Sequence, residues 1–202
     1  MSRPKGIRET DWNDWRWQLK NRITSVPALS RYVNLTQQER DQIEASGAQY
    51  RWAITPYYAA LMDPDDPTCP LRIQQVPQVQ ELTDNLGAKD PLLEREHSPV
   101  DSIVHVYPDR VAFKITNVCP TYCRYCFREY FVGNTAEHHT RSKIQEGIDY
   151  IDKNPAIRDV LVTGGDPLLF SDDRLDDILS RLRTIKHVQI IRIGSRTPCT
   201  LP

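Results

Sequence analysis

The sequence has few cysteines, almost no net charge and no long hydrophobic run. Five cysteines in 202 residues are far fewer than a disulfide-stabilised secreted domain carries. No apolar stretch approaches the length of a membrane span, and the residues after Met1 lack the apolar segment of a secretory signal. These absences predict a cytoplasmic protein in a reducing compartment, without a membrane partner.

The charge distribution also excludes a class of partner. A formal net charge of −1 and the lack of a basic cluster give no electrostatic reason to expect nucleic acid. We find no internal repeat and no low-complexity tract. The length suits either one domain or two. Patterning favours a helical N-terminal region with a proline-rich connector over residues 1–100, followed by a strand–helix region over residues 101–202.

The first hundred residues predict helices and an ordered connector. Residues 10–23 predict one helix with Trp12, Trp15, Leu19 and Ile23 on a single face. Thr36 and Glu39 have capping-box spacing, and Gly47 is placed to end that second helix. Residues 63–77 contain four of the fifteen prolines, which predicts an extended connector rather than a helix.

After about residue 100, apolar runs alternate with amphipathic segments. The predicted elements are strands at 111–116, 159–163 and 188–193, a helix over 141–152, and a helix capped by Ser171. Such alternation implies parallel strands joined by right-handed crossovers. The candidate chemical residues all follow a strand, where a (β/α) barrel keeps its active site. The expected fold class is therefore α/β.

The loop after the first of these strands contains Cys119, Cys123 and Cys126, spaced Cys-x3-Cys-x2-Cys. A cubane iron–sulfur cluster takes one thiolate per iron, so three cysteines leave one iron open to a small molecule. Tyr125 would place an aromatic ring beside that iron. Two other interpretations stay open from spacing alone: a zinc site completed by His138 or His139, and buried cysteines without a ligand.

Gly164, Gly165 and Asp166 follow the second strand. Two glycines allow a backbone to approach a ligand closely, and the carboxylate offers an acceptor for an ammonium group. An α-amino acid that chelates the open iron could place its amine at this turn. S-adenosylmethionine has the required amine and carboxylate.

Several segments together resemble the lysine 2,3-aminomutase group of radical S-adenosylmethionine enzymes. They are TNVCPTYCRYCFR at 116–128, DWNDWRWQL at 11–19, AITPYY at 53–58, YPDRV at 107–111, GGD at 164–166 and RIGSRTP at 192–198. The resemblance covers nearly the whole chain. It favours the cluster over zinc and implies a partial (β/α) barrel.

The resemblance implies roles for individual residues. Cys119, Cys123 and Cys126 would ligate a 4Fe–4S cluster with S-adenosylmethionine on the fourth iron. Tyr125 would pack near the adenine, and Gly164, Gly165 and Asp166 would hold the methionine amine. Tyr107 and Arg110 would contact pyridoxal 5′-phosphate, and Arg128 would pair with the substrate carboxylate. A structural salt bridge is the alternative role for Arg110 and Arg128.

The implied activity is that of an isomerase. It would move the α-amino group of an amino acid to the β carbon, with an external electron donor for the cluster and a homo-oligomeric full-length protein. Val106, Phe127 and Glu129 depart from the pattern of lysine enzymes, so glutamate or arginine is as plausible a substrate as lysine.

The resemblance also predicts an incomplete barrel. Only about three βα units precede Pro202, and the lysine that would hold pyridoxal phosphate has no match, since Lys114 is mid-strand and Lys143, Lys153 and Lys186 lie on or near helices. We therefore expect an N-terminal portion that is inactive by itself. The alternative function is a non-catalytic cysteine-ligand module, zinc-bound or apo, that acts as an interaction protein.

Overall fold

The computed structural model describes residues 6–83, 87–137 and 139–202. The chain divides into two compact units. The first comprises residues 1–87, 120–126 and 198–202, and the second comprises residues 88–119 and 127–197. The domain boundary expected near residue 100 stays a prediction. None of the helices in the described residues is both long and apolar enough to span a membrane.

The first unit is built from short helices around an apolar core. Its helices are α1 (Glu9–Trp12), α2 (Trp15–Lys20), α3 (Val26–Leu29), α4 (Gln37–Gln49), α5 (Pro56–Ala59), α6 (Pro70–Ile73) and α7 (Gln80–Thr83). Leu29, Ile54 and Tyr58 are among the buried residues that form the core. An isolated antiparallel bridge joins Ile23 to Ile54.

The prediction of one helix over residues 10–23 is wrong, because the chain breaks between α1 and α2. The side chain of Asp14 accepts a hydrogen bond from the backbone N–H of Arg16 and so starts a new helix. The amide of Gln18, which is fully buried, donates to the carbonyl of Trp12 at 2.7 Å and stabilises the break.

The second helix begins as predicted and ends later. Thr36 and Glu39 form the complete capping box of α4. Gly47 does not end this helix, which continues to Gln49. A Cβ at Gly47 would lie 2.7 Å from the indole nitrogen of Trp52, so the glycine makes room for a buried ring. The proline-rich connector also contains the short helix α6, with Pro70 at its first position.

The second unit contains a four-stranded sheet in the order β1 (Ile103–Tyr107), β2 (Arg110–Thr116), β3 (Asp159–Gly164) and β4 (Ile190–Ile193). Strands β2, β3 and β4 pair in parallel, as predicted, although β4 begins two residues later than expected. Strand β1 pairs antiparallel with β2 through a hairpin that the sequence did not predict.

Helices α8 (Arg141–Asp152) and α9 (Asp172–Thr184) connect the parallel strands. Both were predicted, and Ser171 stands at the N-cap of α9, although its side chain makes no capping hydrogen bond. The apolar residues of both helices pack against one face of the sheet, where Phe113, Ile115 and Val162 are fully buried. Helix α10 (Thr197–Thr200) follows β4. The α/β class is confirmed.

Candidate functional site

The three clustered cysteines lie in the loop after β2. Cys119 ends a segment of the second unit, whereas Cys123 and Cys126 belong to residues 120–126 of the first. All three are half-buried, and none forms a disulfide. Within the described ranges, no three His, Cys, Asp or Glu side chains are arranged to hold a metal ion. The case for ligation therefore comes from the thiols themselves and their local surroundings.

Residues 120–126 are fixed within the first unit by hydrogen bonds. The backbone N–H of Tyr122 donates to the carbonyl of Ala53 at 2.9 Å, and that of Arg124 donates to Gln74 at 2.9 Å. The guanidinium of Arg124 binds both carboxylate oxygens of Glu81. Because these partners come from outside the loop, the segment with Cys123 and Cys126 is held in a defined conformation.

Cys123 has a polar neighbour that suits a metal-bound thiolate. The side-chain amide of Gln75, which is fully buried, donates to the Cys123 sulfur at 3.6 Å. The backbone N–H of Cys126 donates to the carbonyl of Cys123 at 3.2 Å, which closes a tight turn between the two cysteines. Hydrogen bonds to sulfur are one of the factors that set the reduction potential of iron–sulfur clusters. These surroundings fit a cluster ligand.

Of the two histidines proposed as zinc ligands, the structure describes only His139. His138 lies outside the described residues. The ring of His139 is buried in the second unit and packs edge-on against Phe131, with 5.1 Å between ring centroids. This packing supplies a structural role for His139.

Gly164 ends β3 and Gly165 follows it, and both meet the backbone that leads into Cys119. Gly164 has a φ of +120°, and a Cβ there would lie 2.3 Å from the carbonyl oxygen of Thr116. A Cβ at Gly165 would lie 2.4 Å from the carbonyl oxygen of Val118. Both glycines are therefore required by the close approach of two protein loops. Their contact with a bound methionine stays a prediction.

Asp166 is buried and holds the loops after β3 and β4 together. Its Oδ1 accepts from the N–H of Leu168 at 3.1 Å and from the Ser195 hydroxyl at 2.7 Å. Its Oδ2 accepts from the N–H groups of Arg196 and Thr197 at 2.7 and 2.8 Å. A carboxylate has about four acceptor positions, so this set uses them all. An incoming ammonium would have to displace one of these donors.

Arg128 forms a buried ion pair in the second unit. Its Nε donates to both oxygens of Glu94, at 3.0 and 2.9 Å, and its Nη2 donates to Oε1 at 2.6 Å. Its Nη1 donates to the Thr163 hydroxyl at 3.1 Å. A guanidinium carries five N–H groups, and these contacts use three of them. One N–H on each Nη is left, which is enough for a bidentate carboxylate.

Aromatic residues surround this ion pair. The Tyr130 hydroxyl donates to Glu94 at 3.1 Å, and burial together with the negative charge of Glu94 raises the pKa of Tyr130 well above its usual range. The Arg128 guanidinium carbon lies 4.9 Å from the centroid of the Phe127 ring. The phenyl ring that distinguishes this loop from the lysine pattern thus packs against Arg128.

The other predicted site residues are more exposed. Tyr125 and Tyr107 are each 62% exposed. Arg110 pairs with Asp109 at 2.9 Å and lies over the Tyr107 ring. Arg110 begins β2 and Cys119 follows its end, so roughly 20 Å of strand separates them, at ~3.3 Å per residue. Within the second unit, the predicted pyridoxal phosphate contacts therefore lie at the opposite end of β2 from Cys119.

Two site residues were missed by sequence reasoning. Glu94 and Gln75 lie in irregular or turn-rich segments, where no periodic pattern distinguishes a buried polar residue from a solvated one. A glutamate among prolines and leucines carried no signal of its partner 34 residues later.

Comparisons with known proteins show which enzymes the chain resembles. A model of the radical SAM superfamily matches residues 113–202, which include all three cysteines and the loops after β3 and β4. The chain is 47% identical over 199 residues to the L-lysine 2,3-aminomutase of Clostridium subterminale, covering 98% of this chain and 48% of that protein.

Other relatives have related names. The chain is 46% identical over 194 residues to the glutamate 2,3-aminomutase of Clostridioides difficile, covering 96% of this chain and 46% of that protein. It is 44% identical over 199 residues to the L-lysine 2,3-aminomutase of Bacillus subtilis, covering 98% and 42% respectively. The chain spans about half the length of the curated relatives it matches.

Proposed function

Because the chain belongs to the lysine 2,3-aminomutase family of radical S-adenosylmethionine enzymes, we propose that the protein carrying it is an amino-acid 2,3-aminomutase. The reaction is an isomerisation, since the amino group leaves the α carbon, a hydrogen atom leaves the β carbon, and the two exchange places. The observation that carries the proposal is the run of three half-buried cysteines after β2 in a chain this similar to aminomutases.

The proposed cofactors are a 4Fe–4S cluster, S-adenosylmethionine and pyridoxal 5′-phosphate. When bound, they would supply a radical that removes and returns hydrogen, together with a ring that carries the migrating amino group. Cys119, Cys123 and Cys126 would hold three irons of the cluster, and the Gln75 amide would donate to the Cys123 sulfur. An external donor would reduce the cluster, and Tyr107 and Arg110 would contact the pyridoxal phosphate.

Arg128 is the proposed anchor for the substrate carboxylate. Glu94 and Thr163 orient the guanidinium before any ligand arrives, and the N–H left on each Nη can donate to one oxygen of a bidentate carboxylate. Because every α-amino acid has this carboxylate, Arg128 does not select among lysine, glutamate and arginine. The residues that read the side chain are expected elsewhere in the protein, as is the lysine for pyridoxal phosphate.

We also propose that β2, β3 and β4 are the first strands of a partial (β/α) barrel. The parallel register of these strands and the helices on one face support it. In a barrel the opposite face, with Lys114 and Thr163, would point inward. Asp166 would then fix the geometry of the loops after β3 and β4. Gly164, Gly165 and Asp166 would hold the methionine amine of S-adenosylmethionine, and Tyr125 would pack near its adenine.

Anaerobic reconstitution with iron and sulfide tests the cluster. Alanine at Cys119, Cys123 or Cys126 should each abolish iron loading, whereas Cys69→Ala and Cys199→Ala should load normally. Addition of S-adenosylmethionine should change the EPR signal of the reduced cluster. One zinc per chain, with equal iron content in all five variants, would instead support the non-catalytic cysteine module.

Turnover tests the reaction itself. The complete protein should be incubated with reductant, S-adenosylmethionine, pyridoxal phosphate and, separately, lysine, glutamate or arginine, with β-amino acids separated by chromatography. We expect one substrate to be preferred and Arg128→Ala to reduce turnover of whichever it is. An Arg128→Ala enzyme with unchanged kcat and KM would show that this residue does not bind the substrate.

A further inference from the structure

Lys114 is a buried lysine on the second strand of the sheet. Its neighbours Phe113 and Ile115 point into the apolar core, so the Lys114 side chain projects from the opposite face. Its backbone N–H donates to the carbonyl of Ser102 at 2.7 Å, and the residue is only 4% exposed. Lysine is rarely buried to this extent unless its charge has a partner.

A cavity of about 220 Å³ adjoins this lysine in the second unit. Its lining includes Lys114, Phe131 and the charged residues Arg95, Asp101, Glu137 and Lys143. The Lys114 ammonium lies 5.4 Å from the centroid of the Phe131 ring. Since a water molecule occupies about 30 Å³ in the liquid, a cavity of this size can hold a phosphate or a short carboxylate with some water.

The other charges of the lining are matched in pairs. Lys143 pairs with Asp101 at 2.7 Å, and Arg95 pairs with Glu137 at 3.0 Å. Among the residues that the structure describes, no carboxylate forms an ion pair with Lys114. The lining therefore carries one positive charge in excess, and that charge is on its most deeply buried cation.

An uncompensated ammonium is costly to bury because it loses its hydration. Burial accordingly lowers the pKa of Lys114, an effect that the negative charges of Glu94 and Glu137 oppose and the positive charge of Arg128 reinforces. An anion in the cavity would supply the missing counter-charge at a site that the fold already provides.

We propose that this cavity is a binding site for a small oxyanion, a carboxylate or a phosphate, held by the ammonium of Lys114. Neither the cysteines nor Arg128 contributes to the lining of this cavity, although Tyr130, which donates to Glu94, does. The Lys143–Asp101 and Arg95–Glu137 pairs give the rest of the lining a balanced charge, so selectivity for an anion depends on Lys114.

Thermal unfolding of the complete protein at constant ionic strength, with sodium phosphate or sodium acetate as the probe, tests the site. We expect a saturable rise in Tm with at least one probe, and equilibrium dialysis with labelled phosphate or acetate should then give about one bound anion per chain. The probe that saturates at lower concentration identifies the preferred oxyanion.

Variants decide whether Lys114 is responsible. Lys114→Met should abolish the saturable response, whereas Lys153→Met, at an exposed lysine at the end of α8, should retain it. If Lys114→Met does not fold, Asp101→Asn provides the opposite change, because removing a carboxylate from the lining should tighten binding. The proposal is overturned if the Tm of the wild type shows no saturable response, or if Lys114→Met responds as the wild type does. It is also overturned if Asp101→Asn binds the anion with unchanged affinity.

Discussion

Arg124 and Arg128 lie four residues apart, one in each unit, and have nearly the same hydrogen-bond pattern. Each directs Nε and Nη2 to a glutamate and Nη1 to a further oxygen, which is the Arg51 carbonyl for Arg124 and the Thr163 hydroxyl for Arg128. The carboxylates differ in burial. The Glu81 side chain is 22% exposed, whereas that of Glu94 is 4% exposed.

The difference in burial between Glu81 and Glu94 gives the two arginine–glutamate pairs different roles. Arg124 links the cysteine segment to a glutamate that water still reaches, so its pair resembles a structural clamp. Arg128 is paired with a carboxylate that has little access to water and that also accepts from Tyr130. Because water does not reach a buried carboxylate, the loss of its partner would leave a desolvated charge without compensation. The carboxylate therefore fixes the guanidinium in one orientation.

The largest effect is expected when the buried pair is broken. Glu94→Ala leaves the Arg128 charge buried without a counter-ion and should lower the free energy of unfolding by about 3–5 kcal/mol. Urea denaturation measures this loss. Glu96→Ala, at an exposed glutamate two residues away, is the matched control and should change stability by less than about 0.5 kcal/mol. Similar values for the two variants would remove the distinction between the arginines.

A second test concerns the backbone on the other side of the cysteines. Gly165→Ala would place a methyl group 2.4 Å from the Val118 carbonyl, where only backbone can move. The expected loss is about 2 kcal/mol, typical of overpacking. Gly194→Ala is the control, since the nearest atom to its Cβ would be 3.5 Å away. If both variants unfold at the same urea concentration, the loop before Cys119 is less constrained than the segment held by Arg124.

The clamp at Arg124 should contribute less than the buried pair. Glu81→Ala should lower the free energy of unfolding by about 1.5 kcal/mol, because water partly replaces the lost hydrogen bonds. Iron should also dissociate faster from the reconstituted protein, since Cys123 and Cys126 lose a fixed support. Glu44→Ala, at an exposed position on α4, serves as the control. A loss as large as that of Glu94→Ala would contradict the ranking by burial.

The smallest effect belongs to an exposed pair. Lys143 donates to Asp101 and lowers the pKa of this carboxyl, whose side chain is 64% exposed. A lowered folded-state pKa contributes stability above the unfolded value of about 3.9 and loses it as the pH falls through the folded value. Asp101→Asn, in phosphate- and acetate-free buffer, should therefore cost only a few tenths of a kcal/mol at pH 7. The difference from wild type should begin to shrink as the pH falls below about 4 and should vanish below the folded-state pKa; it should also vanish in high salt.

Periodic apolar patterns predicted the second unit well. Helix α8 has the predicted bounds, and the parallel strands were identified because their residues are apolar over several consecutive positions. Strand β1 was missed because the alternation of Ile103–Tyr107 is interrupted by His105 and ends in an exposed valine and tyrosine. Only pairing with β2 reveals it, and pairing is a non-local property.

The first unit and the polar site were less predictable for the same reason. The buried amide of Gln18 stabilises the break between α1 and α2, and the role of Gly47 inside α4 is explained by Trp52, which lies beyond the helix. The cysteines could be recognised because their ligand spacing is local. Glu94, Gln75 and the four donors to Asp166 come from distant segments, so no window of sequence contains them.

Gly47 and Trp52 impose an order on sequence change. Any side chain at position 47 would come within 2.7 Å of the indole, so a substitution there requires the tryptophan to shift. A smaller residue at position 52 would open space but would leave a hole in the core of the first unit, at a cost of several kcal/mol for a lost large aromatic side chain. Descendants of this sequence can therefore replace the glycine only at a cost in stability, whether the indole shifts or is lost first, which makes the two positions historically dependent on each other.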